Sequence, residues 1–523
     1  MGKRFPSMRS FFLIVSVAML PLACQPQGKP SAYNVQAYGA RPDGQTLATA
    51  AIQAAIDAAT TAGGGRVVVP PGTYLSGTLR LKDNVIFEVQ NGATILGSPH
   101  IEDYTFLRWG HNRDRQPYHL ILLHGAKNVT IEGGGTIDGN GEAFWQDYDP
   151  ANQPAWMHPT ELKVSPMFEV SHSQDVRIRD LLLRTGGGWT LHLYDSDHVQ
   201  VQGIKILNNL FAPNGDGIDI TGCYDVTISD CIIKTCDDAI CLKTTGDSRD
   251  CKRITVANNI IECSCAALKV GNESFRDISQ ATFSNNVVYG SSRAFALYAE
   301  GAGSVYDITV NNLVCDTKAP LIYNRPIHIS LLQREVAPGV IYGGKVERSD
   351  TTFDHEGRQA QLRNILISNV IARTEGRILI TAEPGRMIEN LTLRDVIMTY
   401  PYIEDPRPNV ERAKSGQFSP MNPEAKVARA ALVAENVKNL VVDNFAVNWP
   451  EADTVPVDWR FPKRIANGTY DSFHPTYEKA RETEFGGIWG RNLQGGYIFA
   501  PSLEASAPTM PRLDVTGSIQ RGH

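Results

Sequence analysis

The sequence carries little charge and lacks the long basic runs typical of nucleic-acid-binding proteins. Lysine and arginine number 50 against 56 aspartate and glutamate, the net charge is −6, and 20% of the residues are charged. Because a phosphate backbone attracts dense positive charge, no nucleic-acid partner is expected. The chain also lacks a second CxxC motif or a histidine pair near Cys263-x-Cys265, so zinc is not favoured.

An apolar run at the N-terminus, from Phe11 to Leu22, is too short to span a membrane. Three basic residues precede it: Lys3, Arg4 and Arg9. This combination of charge and length is typical of a secretory signal. The run ends at Leu22-Ala23-Cys24, which resembles a bacterial lipoprotein cleavage box with Cys24 as the acylated residue.

We therefore expect a lipoprotein-type signal peptide over residues 1–24, a polar tether over residues 25–33 and a lipid anchor on Cys24. An ordinary signal peptide with a chance cysteine is the alternative. In both cases the protein is exported from a bacterial cytoplasm, to the periplasm, the outer membrane or the cell surface. Membrane contact would occur only through the anchor.

Eight cysteines follow Cys24, and seven of them lie between Cys223 and Cys265. Export permits disulfides, but the spacing does not give their connectivity. Several alternate with apolar residues in strand-like runs, as Cys241 does, which favours small buried side chains for most of them.

A repeat dominates the chain after a helix predicted from Thr49 to Ala62. Each unit has a polar residue, an alternating apolar run and a small polar turn. The central apolar positions are Val176, Val199, Val226, Ile254, Ala281 and Ile308, separated by 23, 27, 28, 27 and 27 residues. A period in the twenties with several short strands indicates a solenoid, and the consensus of leucine-rich repeats is absent.

The prediction is an all-β protein, a right-handed parallel β-helix over residues 34–449, with the helix capping its N-terminal end. Residues 450–523, where the repeat fades, are expected to form an irregular tail packed on the solenoid. Insertions at residues 100–170 and 311–363 leave the coil and are expected to close one end of a groove.

One strand of each coil can be aligned by its inward apolar pairs, and the alignment locates a candidate site. The residues two before each pair are Trp189, Asp216, Asp238, Ala266 and Arg293, with Asp237 beside them. Between the apolar positions, the outward residues are His192, Asp219, Cys241, Lys269 and Ala296. Successive strands lie about 4.8 Å apart, so carboxylates, cations and an aromatic ring would share one groove suited to a sugar.

Each of these residues also has a structural interpretation. Asp216 precedes a glycine, as turn aspartates often do, and Asp219 is expected to be a structural partner. Lys243 and Lys269 are expected to be solvated or charge-balancing. For His192 and Arg293, ligand contact and a structural role remain equally open. The three clustered aspartates nevertheless favour catalysis, because like charges at one place are costly unless they are used.

The segment Asn214–Lys243 resembles the signature of glycoside hydrolase family 28, the polygalacturonase and rhamnogalacturonase family. Its Asn-x-Asp and Asp-Asp motifs stand here as Asn214-Gly215-Asp216 and Asp237-Asp238. Residues 34–97 and 135–141 resemble the same family, and the resemblance covers roughly residues 34–400. It implies a right-handed β-helix and an inverting glycosidase of pectin-type glycans, galacturonan or rhamnogalacturonan.

The resemblance further implies that Asp237 protonates the leaving oxygen while Asp216 and Asp238 hold and deprotonate water. An inverting acid and base are usually about 6.5–9.5 Å apart. No cofactor or metal is expected, the partner is a polysaccharide or oligosaccharide, and the protein is expected to be a monomer. Expected substrate-binding residues are Asn214, Trp189, His192, Lys269, Arg293, Arg325 and His328.

Two departures from the family pattern bear on the substrate. Where the family has Gly-His-Gly, this chain has Cys265-Ala266-Ala267, and of the family's Arg-x-Lys only Arg293 is present. Arg325 or His328 is a candidate replacement for the lost uronate clamp. Rhamnogalacturonan-directed or exo-acting relatives, or enzymes of another glycan, therefore fit better than a plain endo-polygalacturonase.

Two other classes stay open on the sequence. A polysaccharide lyase can share the fold but needs a Ca²⁺ cluster or a lysine or arginine base. A non-catalytic glycan-binding surface lipoprotein would agree with the missing histidine.

Overall fold

Three faces of short parallel strands build the protein. The computed structural model describes residues 1–2, 32–107, 115–147, 157–318, 324–332, 340–342, 345–347, 359–403, 423–451, 456, 459 and 484–522. Successive coils pair strand on strand in each face, and the result is a right-handed parallel β-helix. The predicted fold class is confirmed.

The first face will prove to carry the candidate site. Its strands are β5 (Leu79–Leu81), β8 (Ile121–His124), β11 (Phe168–Ser171), β14 (Leu191–Tyr194), β17 (Ile218–Thr221), β20 (Ile240–Thr244), β23 (Ala266–Ser274), β26 (Arg293–Ala299), β28 (Arg325–Leu331), β32 (Ile378–Ala382) and β36 (Leu513–Gly517).

The second face runs beside it. Its strands are β1 (Tyr33–Asn34), β3 (Gly65–Val69), β6 (Val85–Val89), β9 (Lys127–Glu132), β12 (Gln174–Arg179), β15 (Asp197–Gln202), β18 (Tyr224–Ser229), β21 (Cys251–Ala257), β24 (Ile278–Ser284) and β37 (Gln520–Arg521). Strand β1 begins at Tyr33, so the predicted tether reaches one residue too far.

The third face completes each coil. Its strands are β2 (Asp43–Leu47), β4 (Gly72–Ser76), β7 (Ala93–Gly97), β10 (Thr136–Asp138), β13 (Leu182–Arg184), β16 (Lys205–Leu207), β19 (Ile232–Thr235), β22 (Ile260–Cys263) and β25 (Val287–Tyr289). Five long strands then pass from one face to another: β27 (Val305–Thr317), β31 (Leu362–Thr374), β33 (Ile388–Thr399), β34 (Ala430–Asn448) and β35 (Gly486–Phe499). A separate hairpin joins β29 (Val340–Tyr342) to β30 (Lys345–Glu347).

Helix α1 (Thr49–Thr61) packs against β1, β3 and β5 at the N-terminal end of the solenoid. Its buried apolar face consists of Ile52, Ala55, Ile56 and Ala59. The predicted capping helix is confirmed, because this stripe covers apolar core that would otherwise face water. A short second helix, α2, spans Pro423–Val427. Single 3₁₀ turns span Val35–Tyr38, Ile101–Asp103 and Gly141–Phe144.

The polar residue that opens each sequence repeat has a backbone reason. It lies just before the first inward apolar residue and adopts a left-handed conformation, with φ between 53° and 60°. The residues are Asn128, Asp175, His198, Asp225, Arg253, Gln280, Asp307, Asn364, Asn390 and Asn439. Aspartate and asparagine tolerate this region better than other non-glycine residues. The polar residue of the sequence repeat therefore corresponds to a backbone bend that recurs once per coil.

The solenoid continues past residue 449, and the predicted irregular tail is wrong for its second half. Strand β35 pairs in parallel with β34 along most of its length, and β36 and β37 pair with β35. Glycines replace the alternating pattern here: Gly495 and Gly496 have φ of 70° and 80°. Because these glycines interrupt the apolar alternation, the last coil could not be predicted from the sequence pattern.

The eight cysteines from Cys223 to Cys315 are free thiols, and all but Cys265 are buried. The preference for small buried side chains is therefore confirmed. The signal peptide, most of the tether and the Cys24 anchor lie outside the described residues. Among those that are described, no helix is long and apolar enough to cross a membrane.

Candidate active site

The register of the first face places the predicted column as expected. Its paired inward residues are Leu191, Ile218, Ile240, Leu268, Phe295 and Ile327. The residues two before them therefore line one edge: Trp189, Asp216, Asp238, Ala266, Arg293 and Arg325. Arg325 is paired directly with Arg293, so the edge continues one coil beyond the predicted column.

A second column lies between the inward residues of the same strands. It consists of Glu169, His192, Asp219, Cys241, Lys269, Ala296 and His328. These side chains were expected to face an open groove, but they are buried, with exposures from 0% to 8%. Burial strengthens every charge interaction among them, because the effective dielectric falls.

Two lysines compensate the carboxylates of the site. Lys269 forms an ion pair with Asp238, and Lys243 lies 2.8 Å from Asp219 and 3.8 Å from Asp216. Neither lysine is solvated, so their role is charge balance, one of the two predicted possibilities. Asp219 is a structural partner, as expected.

The three candidate catalytic aspartates differ in their environments. Burial and the neighbouring Asp238 charge raise the pKa of Asp237 above its ordinary value of 3.8. Burial also acts on Asp238, but the Lys269, Arg293 and Lys243 charges outweigh it and lower the pKa of Asp238. The pKa of Asp216 is raised well above 3.8 by burial and by the Asp237 and Asp219 charges. The site can thus hold a protonated Asp237 beside an ionised Asp238.

The spacing of this pair differs from the expectation. One carboxylate oxygen of Asp237 lies within 4.8 Å of one of Asp238, closer than the ~6.5–9.5 Å typical of an inverting acid and base. The reason is that the two residues are adjacent in one turn, where Asp238 N donates to Asp237 Oδ1 over 2.9 Å. Asp216 lies one coil away, opposite Asp238, and its Oδ1 has no hydrogen-bond partner within the described part of the chain.

His192 is held on both sides of its ring. Nδ1 lies 2.7 Å from Glu169 Oε2, and Nε2 lies 2.9 Å from Thr221 Oγ1. Glu169 also forms an ion pair with Arg115. The arrangement favours a supporting histidine over a free ligand contact. Neither Glu169 nor Arg115 was predicted from the sequence. Glu169 could have been, because it continues the second column one coil before His192.

Trp189 is 5% exposed, and one face of its ring is already occupied. Lys243 Nζ lies 3.9 Å from the ring centroid, a cation–π contact. The His192 ring approaches edge-on at 5.3 Å. Sugar stacking on Trp189, which was expected, stays a prediction and would have to use the remaining edge.

The arginines lie on the C-terminal side of the carboxylates. Arg293 donates from Nη2 to Cys265 Sγ, and Arg325 Nη1 lies 3.2 Å from His328 Nε2. The His328 Nδ1 lies 2.8 Å from the Tyr298 hydroxyl, a partner that the sequence search missed. Burial and the surrounding arginine charges lower the pKa of His328 well below 6.5. His328 is therefore neutral, and the positive charge here belongs to the arginines.

Two further expectations concern Asn214 and metal binding. Asn214 is half-buried in the turn before β17, with φ of 49°. Among the described residues, Asp237, Asp238 and Cys265 could offer three metal-ligand atoms within 4.8 Å of one another. Lys269 and Arg293 already contact two of these groups, so the donor set is compensated by protein cations.

Comparison with known proteins agrees with this geometry. Residues 63–320 match the family described as glycosyl hydrolases family 28. Residues 63–320 belong to glycoside hydrolase family 28. The match contains the three aspartates, whereas Arg325 and His328 lie beyond it.

Relatives of this family 28 protein include a probable polygalacturonase of Vitis vinifera, 31% identical over 223 residues, 40% of this chain and 44% of that protein. An exo-poly-alpha-D-galacturonosidase of Dickeya chrysanthemi is 26% identical over 307 residues, 50% of each chain. This chain therefore spans about half the length of these curated relatives. The solved exopolygalacturonase of Thermotoga maritima shares the fold, with a TM-score of 0.56 and 19% identity, covering 81% of this chain and 93% of that one.

Proposed function

We propose that this family 28 protein is an exported glycosidase that hydrolyses pectic uronate glycans, galacturonan or rhamnogalacturonan, with inversion at the anomeric carbon and from a chain end. The observation that carries the proposal is the division of labour between adjacent carboxylates. Asp237 favours its protonated form, and Asp238 is held ionised by Lys269. Paired carboxyl groups with separated pKa values are what glycosidic acid–base catalysis needs.

In this mechanism the Asp237 carboxyl group donates its proton to the glycosidic oxygen as the bond to the anomeric carbon breaks. A water molecule attacks that carbon from the opposite face and loses a proton to the Asp238 carboxylate. Asp237 ends ionised and Asp238 protonated, and exchange with solvent restores both. Asp216 lies one coil away, and its Oδ1 has no hydrogen-bond partner among the described residues; it would hold the water between itself and Asp238.

The substrate class rests on the arginines beside this centre. Arg293 and Arg325 occupy neighbouring coils, and a guanidinium binds carboxylate in a bidentate fashion. Arg325 is the proposed replacement for the lost lysine of the clamp, with the neutral His328 orienting it. The relatives whose names refer to galacturonan support a uronate over a neutral sugar.

The proposal also includes exo action and export. Exo action is supported by the name of the Dickeya relative and by the two long insertions in the sequence. Export to the periplasm or cell surface is supported by the basic and apolar residues ahead of Cys24.

The test is product analysis on a panel of pectic glycans, with wild type beside Asp237→Asn and with anomeric configuration followed by NMR. A saturated monosaccharide with inverted configuration, lost in the variant, is the expected result. Retained configuration would show that the short Asp237–Asp238 spacing belongs to a retaining enzyme. Unsaturated products would indicate a lyase, and binding without turnover would indicate a glycan-binding protein.

A further inference from the structure

Cys265 differs from the other described cysteines. It is the one that is half-buried, and the remaining seven are fully buried. Its backbone is fixed: the carbonyl accepts from Arg293 N at 3.0 Å and from Ser291 Oγ at 3.2 Å. Its amide donates to Cys263 Sγ at 3.3 Å. The thiol therefore stands at one defined place beside the acid–base pair.

The Cys265 side chain connects two groups of the site. Its sulfur accepts a hydrogen bond from Arg293 Nη2. Cys265 Sγ lies within 4.8 Å of an oxygen of Asp237 and of Asp238. The thiol thus lies between the Arg293 guanidinium and the Asp237 carboxyl group, where a hydrogen bond from the thiol to Asp237 would be polarised by the one that the sulfur accepts.

We propose that Cys265 is a positioning residue, whose thiol links the general acid Asp237 to Arg293, fixing the direction of the acid and tuning its strength. The inference rests on the proposed function, since it takes Asp237 as the proton donor. Burial raises the pKa of the Cys265 thiol well above 9.0, so the sulfur keeps its proton and acts as a donor. The site would then couple occupancy of Arg293 by a uronate to the acidity of Asp237.

The other groups that face Asp237 set the background for this effect. They are Asp216 on the preceding coil, Asp238 and Cys236 in the same turn, and Cys263, Lys269 and Arg293 on the following coils. Burial and Asp238 favour the protonated form of Asp237, whereas Lys269 and the Cys265 bond favour the ionised form. Removing the thiol must therefore raise the pKa of Asp237.

The sign gives an experiment with two opposite shifts. A general acid works below its pKa, so activity is lost as the pH rises through that value. In Cys265→Ala, the alkaline limb of kcat/KM should move up by about one pH unit, and kcat should fall several-fold because Asp237 becomes a weaker acid. In Cys265→Ser, the hydroxyl is a better donor than the thiol, and the limb should move down by about half a unit.

Cys315→Ala is the matched control, because Cys315 is buried far along the chain in β27, and its limb should coincide with wild type. Circular dichroism at each pH checks folding. If the alanine variant does not fold, the shift of the alkaline limb in Cys265→Ser still tests the inference. Limbs that coincide with wild type, or that shift in the same direction for both variants, would overturn the inference.

A readout without turnover separates this inference from the proposed function. The S–H stretching band of Cys265, taken as the Raman difference between wild type and Cys265→Ala, should shift as Asp237 takes up its proton. The shift should vanish in Asp237→Asn. A band that titrates without any glycan hydrolysis would support the link and refute the hydrolase, whereas hydrolysis with a band indifferent to pH would do the reverse.

Discussion

Two stacks of side chains on the same solenoid follow opposite rules. The asparagine ladder consists of Asn258, Asn285, Asn312 and Asn369, at the turn between the second and third faces. Each amide donates to the oxygen of the preceding one, over 3.2, 2.8 and 3.1 Å. All four backbones share a left-handed φ between 52° and 59°. One residue type repeats because one backbone bend and one hydrogen bond repeat.

The site column of the first face has a different residue on nearly every coil. Trp189, Asp216, Asp238, Ala266 and Arg293 succeed one another, although the backbone beneath them is as regular as that of the ladder. Regular stacking therefore leaves the choice of these side chains free. The comparison indicates that a side chain repeated on successive coils of this solenoid serves the fold. Where the register stays constant but the side chains differ from coil to coil, the position is a candidate for a functional role.

The largest effect on activity is expected from Asp237→Asn, beside the site column. The amide cannot supply the proton, and general acid catalysis typically contributes ~10²–10⁴-fold, so kcat should fall by about 10³-fold. Thermal stability should hold or rise, because a carboxyl group raised in pKa by burial is removed. Kinetics on a pectic glycan and calorimetry measure both.

Asp225→Asn is the matched control, since Asp225 is a half-buried aspartate of the second face, away from the site and paired with Arg253. Its kcat should be that of wild type. An Asp237→Asn variant that retains more than a tenth of the activity would remove Asp237 from the role of acid.

Arg325→Ala tests whether the site column extends to the substrate. A hydrogen bond to a charged group contributes ~1.5–3 kcal/mol, so KM for a uronate substrate should rise about 10- to 150-fold with kcat nearly unchanged. Steady-state kinetics measure this, with Arg363→Ala, a half-buried arginine of the second face, as the control variant. An unchanged KM would exclude Arg325 from the clamp.

The sequence predicted the fold and the centre of the site because both depend on local periodicity. Inward apolar pairs such as Ile218/Ile220 recur at a nearly fixed spacing, and aligning them gave the observed register. Asp216 and Asp238 fell on neighbouring coils for that reason alone. Nothing in their roles had to be known to place them together.

The rest depends on contacts across insertions and on burial, which periodicity does not carry. Arg115 reaches Glu169 from 54 residues away in the sequence, and Lys243 folds over Trp189. The proximity of Cys265 to Asp237 was not predicted. In the sequence, Cys265 stood out only as part of a segment, Cys265-Ala266-Ala267, that lacks the family's histidine. The last coil was missed where Gly495 and Gly496 interrupt the alternation.

The buried His119, two residues before β8 of the first face, should make the stability of the fold sensitive to acid, whereas the side chains of the asparagine ladder do not titrate. Burial lowers the pKa of His119 from 6.5 to about 4, so the folded state keeps it neutral. Its contribution is complete above pH 6.5 and is lost as the pH falls toward 4, at about 1.4 kcal/mol per pH unit. Unfolding in denaturant at pH 7 and 5.5 should show lower stability at 5.5, and His119→Asn should reduce the difference. An equal loss in both proteins would contradict this.

The smallest effect is expected from breaking the ladder at Asn312→Ala. Asn312 donates to Asn285 and accepts from Asn369, and its φ of 52° is costly for alanine. These exposed bonds and the strained backbone together should lower the free energy of unfolding by about 1 kcal/mol. Asn312→Gly removes the same bonds but tolerates the φ, so it should lose less, and the difference isolates the backbone part. Both variants should keep wild-type kcat and KM. A kinetic change in either would mean that the ladder is coupled to the site, and that repetition does more here than fold the chain.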